Sequence, residues 1–144
     1  MKKNNGLSFF IPKKEMGLDA ILINTGISAG FPSPAGDYKQ ERISLDKELI
    51  KNQEATFFAR VSGESMVNAG LEDGDLIIID RSIEPANNKI AVCYIDGEFT
   101  VKRLRVKKGK IWLQPENSKY QPIEIKDDNE LIIWGIVTNV VKKL

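Results

Sequence analysis

The chain has 144 residues, 42% hydrophobic and 28% charged, with a formal net charge of +1. That is one domain's worth of an ordinary globular composition, with no global field to draw it to nucleic acid or membrane. It contains no histidine and one cysteine, which excludes Ser-His-Asp triads and zinc sites and leaves acid–base or nucleophilic chemistry to Ser or Thr with Lys, or to carboxylates.

Cys93 cannot form an intrachain disulfide and reads as a small buried hydrophobe. No run approaches the roughly 18 apolar residues of a membrane span. Pro12, Lys13 and Lys14 interrupt the opening apolar run before a signal-peptide core forms, so the expected location is the cytoplasm.

In chain order, residues 1 to about 29 read as an arm, with Gly6, Pro12, Gly17 and Gly26 between short apolar pieces. No helix-turn-helix pattern of adequate length fits there. The arm can lie on the body through Leu18, Ile21 and Leu22, or through Ile21 and Ile23 as a strand. From Gly30 to Tyr38, Pro32 and Pro34 favour an extended loop. ISLDKELIKN, Ile43 to Asn52, reads as a short helix with Ser44 at its N-cap.

Strand patterns follow. ATFFARV (Ala55–Val61) is aromatic and β-branched, and DLIIID (Asp75–Asp80) suits a strand buried on both faces. In KIAVCYIDGEFTVKRLRV (Lys89–Val106), two strand-like runs flank Asp96-Gly97, the chemistry of a tight hairpin. KGK (Lys108–Lys110) makes the next turn before IWLQP. ELIIWGIVTNVV (Glu130–Val141) reads as a long strand with a bulge at Gly135. The whole predicts a mostly β body of barrel or sandwich type with short helices.

Chemistry concentrates in VSGESMVNAGLEDGDLIIID (Val61–Asp80). A serine just past a strand, at a turn containing glycine, can expose its hydroxyl beside free backbone N–H groups, which suits a nucleophile with an oxyanion pocket. By itself a Ser-Gly-x-Ser turn is also simply a turn. Strand alternation puts Thr100, Lys102, Leu104 and Val106 on one face and Arg103 and Arg105 on the other. Burial beside aliphatic residues would lower the Lys102 pKa and make a neutral general base; the alternative is a lysine snorkelling at a sheet edge.

FPSPAGDY, SGESM, GLEDGDLIIID and GEFTVKRL, in this order, resemble the LexA/UmuD family of self-cleaving proteins from Gly30 to Leu144. The spacings from Gly30 to Ser65 and from Ser65 to Lys102 agree with the family without a gap. The resemblance implies the LexA/UmuD peptidase fold over residues 30–144, preceded by a cleavable arm over residues 1–29. It implies Ser65 as nucleophile, Lys102 as general base and Thr100 as the residue orienting its amine. The backbone N–H groups of Ser65 and Glu64 would form the oxyanion hole, Gly63 and Met66 would shape the turn, and Ala29-Gly30 would be the bond cut.

Only 29 residues precede Gly30, with no DNA-binding pattern, which favours the UmuD-like branch over a repressor. That branch implies an SOS-response protein, stimulated by a RecA filament on single-stranded DNA. Its shortened form would dimerise and serve an error-prone polymerase of the UmuC type in translesion synthesis. No cofactor, metal, membrane or sequence-specific DNA partner is expected. Two other readings stay open, a Ser-Lys peptidase acting on other proteins and a non-catalytic β interaction module. The basic run Lys102–Lys110 reads as a solvated hairpin face, Trp112 and Trp134 as half-buried packing, and Asp73 and Asp75 as turn residues around Gly74.

Overall fold

Hairpin chemistry and apolar alternation organise the fold, seen in a computed structural model that describes residues 7–12, 19–23, 29 and 40–144. In chain order the elements are β1 (Leu7–Phe10), β2 (Asp19–Ile23), β3 (Gln40–Ser44), α1 (Leu45–Leu49), β4 (Thr56–Val61), β5 (Leu76–Asp80), β6 (Ile90–Ile95), β7 (Glu98–Lys107), β8 (Lys110–Gln114), β9 (Ile123–Glu124) and β10 (Leu131–Val141). Short 3-10 turns cover Gln53–Ala55 and Val67–Ala69. By contacts the chain divides into two units, residues 1–12 with 52–144, and residues 13–51. This division is distinct from the Ala29-Gly30 bond singled out in the sequence.

The first unit holds an antiparallel sheet of eight strands in the order β1-β4-β5-β10-β6-β7-β8-β9. Its body is mostly β and curled, as the residue patterns predict. The β6–β7 hairpin turns through Asp96 and Gly97, both at positive φ (47° and 87°), the pairing that matches strand twist. Lys108 and Gly109 make the next two-residue turn, also at positive φ. In β5, Ile77, Ile78 and Ile79 are all buried, so this strand is covered on both faces. One core cluster gathers Val61, Met66, Leu71, Ile77, Ile79, Val92 and Val101; a second gathers Ala91, Cys93, Leu104, Leu113 and Ile136. The two clusters lie on opposite faces of β6 and β7, which is why neighbouring residues in those strands are both buried.

Along β10 the register against β6 shifts between Ile133 and Gly135, the bulge expected near that glycine. A Cβ on Gly135 would come 2.5 Å from Ile79 Cγ2, so glycine is needed there for close approach rather than for a turn. Trp134 sits at this shift. Its carbonyl accepts a hydrogen bond from Arg81 Nε (2.8 Å), and the Arg81 guanidinium lies 4.4 Å from its ring centroid.

In the second unit β2 pairs antiparallel with β3, from Asp19 opposite Ser44 to Ile23 opposite Gln40. Residues 21–23 are thus in a strand, as the second sequence reading has them, and the strand pairs with β3 rather than with a strand of the main sheet. The helix is shorter than the sequence pattern suggests. Pairing with β2 takes Ile43 and Ser44 into β3, and only Leu45–Leu49 remains helical. Ser44 does occupy the N-cap, but its side chain makes no capping hydrogen bond, and no residue of α1 is buried.

Candidate functional site

The loop carrying Ser65 is tied at both ends. β4 ends at Val61, whose N–H donates to the Asp75 carbonyl (2.8 Å) and whose carbonyl accepts from the Gly74 N–H (2.8 Å). Gly63 then reverses the chain at φ 92°, and its N–H donates to Asp73 Oδ1 at 2.8 Å. On the far side, the Ser65 carbonyl accepts from Glu116 N–H (2.9 Å) and the Glu64 carbonyl accepts from Asn117 Nδ2 (2.8 Å). Asn68 N–H completes the brace by donating to the Glu116 carbonyl (2.8 Å). Met66, 2% exposed, plugs the loop into the first core cluster. Among the described residues, the N–H groups of Glu64 and Ser65 have no hydrogen-bond acceptor.

Lys102 reaches this loop from β7, an interior strand flanked by β6 and β8. It stands opposite Ala91 and is 8% exposed, so it is buried rather than snorkelling at a sheet edge. Its Nζ donates to Thr100 Oγ1 (2.7 Å) and to the Val101 carbonyl (3.0 Å), and lies 3.0 Å from Ser65 Oγ. Among the described residues no carboxylate pairs with it. Burial therefore acts with little opposition and pulls its pKa below the ordinary 10.5. Cys93, wholly buried on the same face, has its thiol pushed up to about 12 by burial, so it is a neutral packing residue.

Ser65 and Lys102 open onto a cleft of about 390 Å³, which also has Leu7, Val61, Thr100 and Tyr120 in its walls. The structure thus brings together Ser65, Lys102, Thr100 and Glu64. Ala29 is an exposed residue at a bend in the second unit, and Gly30 lies outside the described residues.

Several neighbours of the site were not singled out from sequence. Asp73, read only as a turn residue, does make the Glu72–Asp75 turn and also holds Gly63. Glu116 and Asn117 brace Ser65, and Leu7 lines the cleft. An acid at a turn beside a Ser-Gly segment was the one visible signal; the other contacts join segments remote in sequence.

The rest of the basic run faces outward. Arg103 Nε pairs with Glu116 Oε1 (2.6 Å), Arg105 Nε donates to Gln114 Oε1 (3.1 Å), and Lys110 lies 3.4 Å from Glu124. Lys107, Lys108 and Lys110 are exposed, as a solvated hairpin face requires. Trp112 and Trp134 are both half-buried.

A family model described as Peptidase S24-like matches residues 21–138. The chain is 44% identical over 124 residues to Protein SamA of Salmonella typhimurium, covering 86% of both chains. It is 42% identical over 114 residues to Protein MucA of Salmonella typhimurium, covering 78% of this chain and 77% of MucA. LexA repressor 1 of Geobacter sulfurreducens is 35% identical over 82% of this chain, which spans 58% of that longer protein. A buried lysine against a serine on an S24 scaffold, with UmuD-like relatives matched along most of their length, identifies the chain as a member of the peptidase S24 family of serine peptidases.

Proposed function

We propose that this protein cuts its own backbone between Ala29 and Gly30 with Ser65 as nucleophile and Lys102 as general base. The observation that carries this reading is the 3.0 Å contact between Lys102 Nζ and Ser65 Oγ, made by a buried amine whose other partners are a hydroxyl and a carbonyl. A neutral amine offers two N–H donors and one lone pair. Donation to Thr100 Oγ1 and the Val101 carbonyl uses the donors and leaves the lone pair for the Ser65 hydroxyl proton.

Ser65 Oγ attacks the Ala29 carbonyl carbon as its proton passes to Lys102. The oxyanion is met by the N–H groups of Ser65 and Glu64, which have no acceptor among the described residues. Collapse breaks the Ala29–Gly30 bond, and the Lys102 ammonium returns its proton to the leaving Gly30 amine. Water, deprotonated by the same lysine, then hydrolyses the ester. Because substrate and nucleophile share one chain, their effective concentration is high, and control falls on presentation of the bond. The UmuD-like relatives extend the reading to the SOS response: RecA on single-stranded DNA promotes presentation, and the shortened protein dimerises and serves an error-prone polymerase in the cytoplasm.

Incubating the purified chain at alkaline pH, with mass and N-terminal analysis, tests the chemistry. A fragment beginning at Gly30, absent in Ser65→Ala, is the expected product. An intact chain, both at alkaline pH and with RecA on single-stranded DNA, would refute the proposal. Cleavage of added proteins without a cut at Ala29 would assign a peptidase acting on other substrates.

A further inference from the structure

The outermost strand of the main sheet is not part of the body's continuous sequence. β1 pairs antiparallel with β4, Leu7 opposite Val61, Ser8 opposite Arg60, Phe9 opposite Ala59 and Phe10 opposite Phe58. Two of its side chains point inward. Leu7 is 8% exposed, joins the first core cluster and lines the Ser65 cleft. Phe9 stacks against Phe99 of β7 (centroids 4.9 Å) and Trp134 of β10 (4.8 Å), and Trp134 in turn contacts Phe57 of β4 (5.0 Å). Phe10, between strands of this pattern, faces out at 47% exposure. The strand therefore fills a seam where the curled sheet brings β4 close to Phe99 and Trp134. One side of the seam supplies backbone pairing groups, and the other supplies a greasy wall.

We infer that this seam is a docking site for an extended segment bearing a large aliphatic residue and, two positions on, an aromatic one. Residues 7–10 hold the site closed until the chain is cut. The inference rests on the proposed cut at Ala29–Gly30 only for when the site opens. Before the cut, β1 is tethered to the body through residues 11–51, and the tether keeps its local concentration high. After the cut the described contacts that retain the 1–29 fragment are two short pairings, the four residues of β1 on β4 with their two anchors and the five residues of β2 on β3, and strands so short are weak ligands without a tether. Its departure leaves the β4 edge with unpaired N–H and C=O groups beside three aromatic rings. That is the arrangement by which sheets accept a strand from a partner: main-chain bonds for affinity, alternate side-chain pockets for selection. The bound β1 itself states the chemistry of the incoming segment, Leu-x-Phe in an antiparallel register.

The test separates opening from self-cleavage. A recognition site for a sequence-specific protease is inserted between Ala29 and Gly30 in the Ser65→Ala full chain, so an external enzyme makes the cut. The probe is a fluorescent peptide of residues 5–12, NGLSFFIP, followed by anisotropy and by Trp134 emission. Cutting should tighten probe binding at least tenfold, and the same peptide with Leu7→Ala and Phe9→Ala should lose that gain. In the uncut chain, Leu7→Ala with Phe9→Ala should also admit the probe, without any cut. Equal binding before and after the cut would overturn the inference. So would retention of the released fragment through gel filtration at micromolar protein, or filling of the seam by the arm of a second intact copy, seen as co-sedimentation of cut with uncut chains that is lost when the uncut chain carries Leu7→Ala and Phe9→Ala. Failure of the unmodified chain to cleave itself would count against the proposed function and leave these outcomes readable.

Discussion

Two lysines in this chain meet opposite surroundings. Lys102 is buried, touches a serine, a threonine and a carbonyl, and has its pKa lowered by burial. Lys142, after β10, is partly exposed and lies between Glu72 (3.1 Å) and Asp75, which raise its pKa, their hydrogen bonds and charges outweighing its slight burial. Burial pushes the Asp75 carboxyl up, but Lys142 and the Glu72 N–H outweigh burial and hold it below 3.8. The same side chain is a desolvated amine, the proposed base, in one place and a clamp on the Glu72–Asp75 turn in the other. The difference is whether a carboxylate accompanies it.

Exchanging each lysine for methionine sharpens that contrast most. Lys102→Met, like Ser65→Ala, should lower self-cleavage at least about 1,000-fold, measured as the first-order rate of appearance of the Gly30 fragment. Lys142→Met should leave that rate within about threefold. If both substitutions cut the rate equally, the two lysines are not different in kind.

The pH profile is next in size. The competent form is neutral Lys102, so the wild-type rate should climb about tenfold per pH unit through the acid and neutral range. It should level off below pH 10.5, because the pKa is lowered. A profile still rising in that manner beyond pH 10.5 would contradict a desolvated base.

Stability should move in opposite directions. The unfolded chain holds the Lys102 proton more firmly than the folded one. Burying this ammonium therefore costs stability at pH values below the lowered pKa, and the cost fades as pH rises toward 10.5. Lys102→Met should raise Tm at neutral pH, with a gain that shrinks at alkaline pH. The Asp75–Lys142 contact works the other way. Its contribution is present above 3.8 and below 10.5. It is lost as pH falls through the lowered Asp75 value or rises through the raised Lys142 value. Lys142→Met should lower Tm slightly between those limits and not outside them.

The smallest expected effect concerns the turn itself. Asp73→Ala removes the acceptor for the Gly63 N–H and should slow cleavage about tenfold, the equivalent of roughly 1.4 kcal/mol for one lost hydrogen bond to a charged group. Asp73→Asn, which keeps the acceptor oxygen, should restore most of the rate, while a bulk folding defect would not be rescued in that way.

What could be read in advance follows the range of the interactions. The β6–β7 hairpin was legible because Asp96-Gly97 encodes its turn within two residues, and β5 because three isoleucines in a row suit a strand covered on both faces. Lys102 was legible as a buried lysine because alternation put it with Leu104 and apart from Arg103 and Arg105. The helix was overextended because Ile43 and Ser44 fit a helix start locally, whereas pairing with β2 decides their state. The bracing of Ser65 by Glu116 and Asn117, and the pairing of Leu7 with Val61, could not be read from the chain. Each joins segments far apart in sequence, and none leaves a periodic trace.

The pairing of β1 with β4 also bears on the order in which the molecule folds. During synthesis residues 7–10 emerge first, yet their partners Phe58–Val61 follow only after the whole second unit has been made. Closing so long a loop is slow compared with forming the β6–β7 hairpin, whose halves are joined by two residues. The nascent strand must therefore wait unpaired, with Leu7 and Phe9 exposed. Ser65 likewise lacks the Lys102 amine until β7 has left the ribosome. On the proposed reading the pair forms only once the chain has been made past Lys102, well after the Ala29–Gly30 bond has emerged, so a shorter nascent chain cannot cut itself.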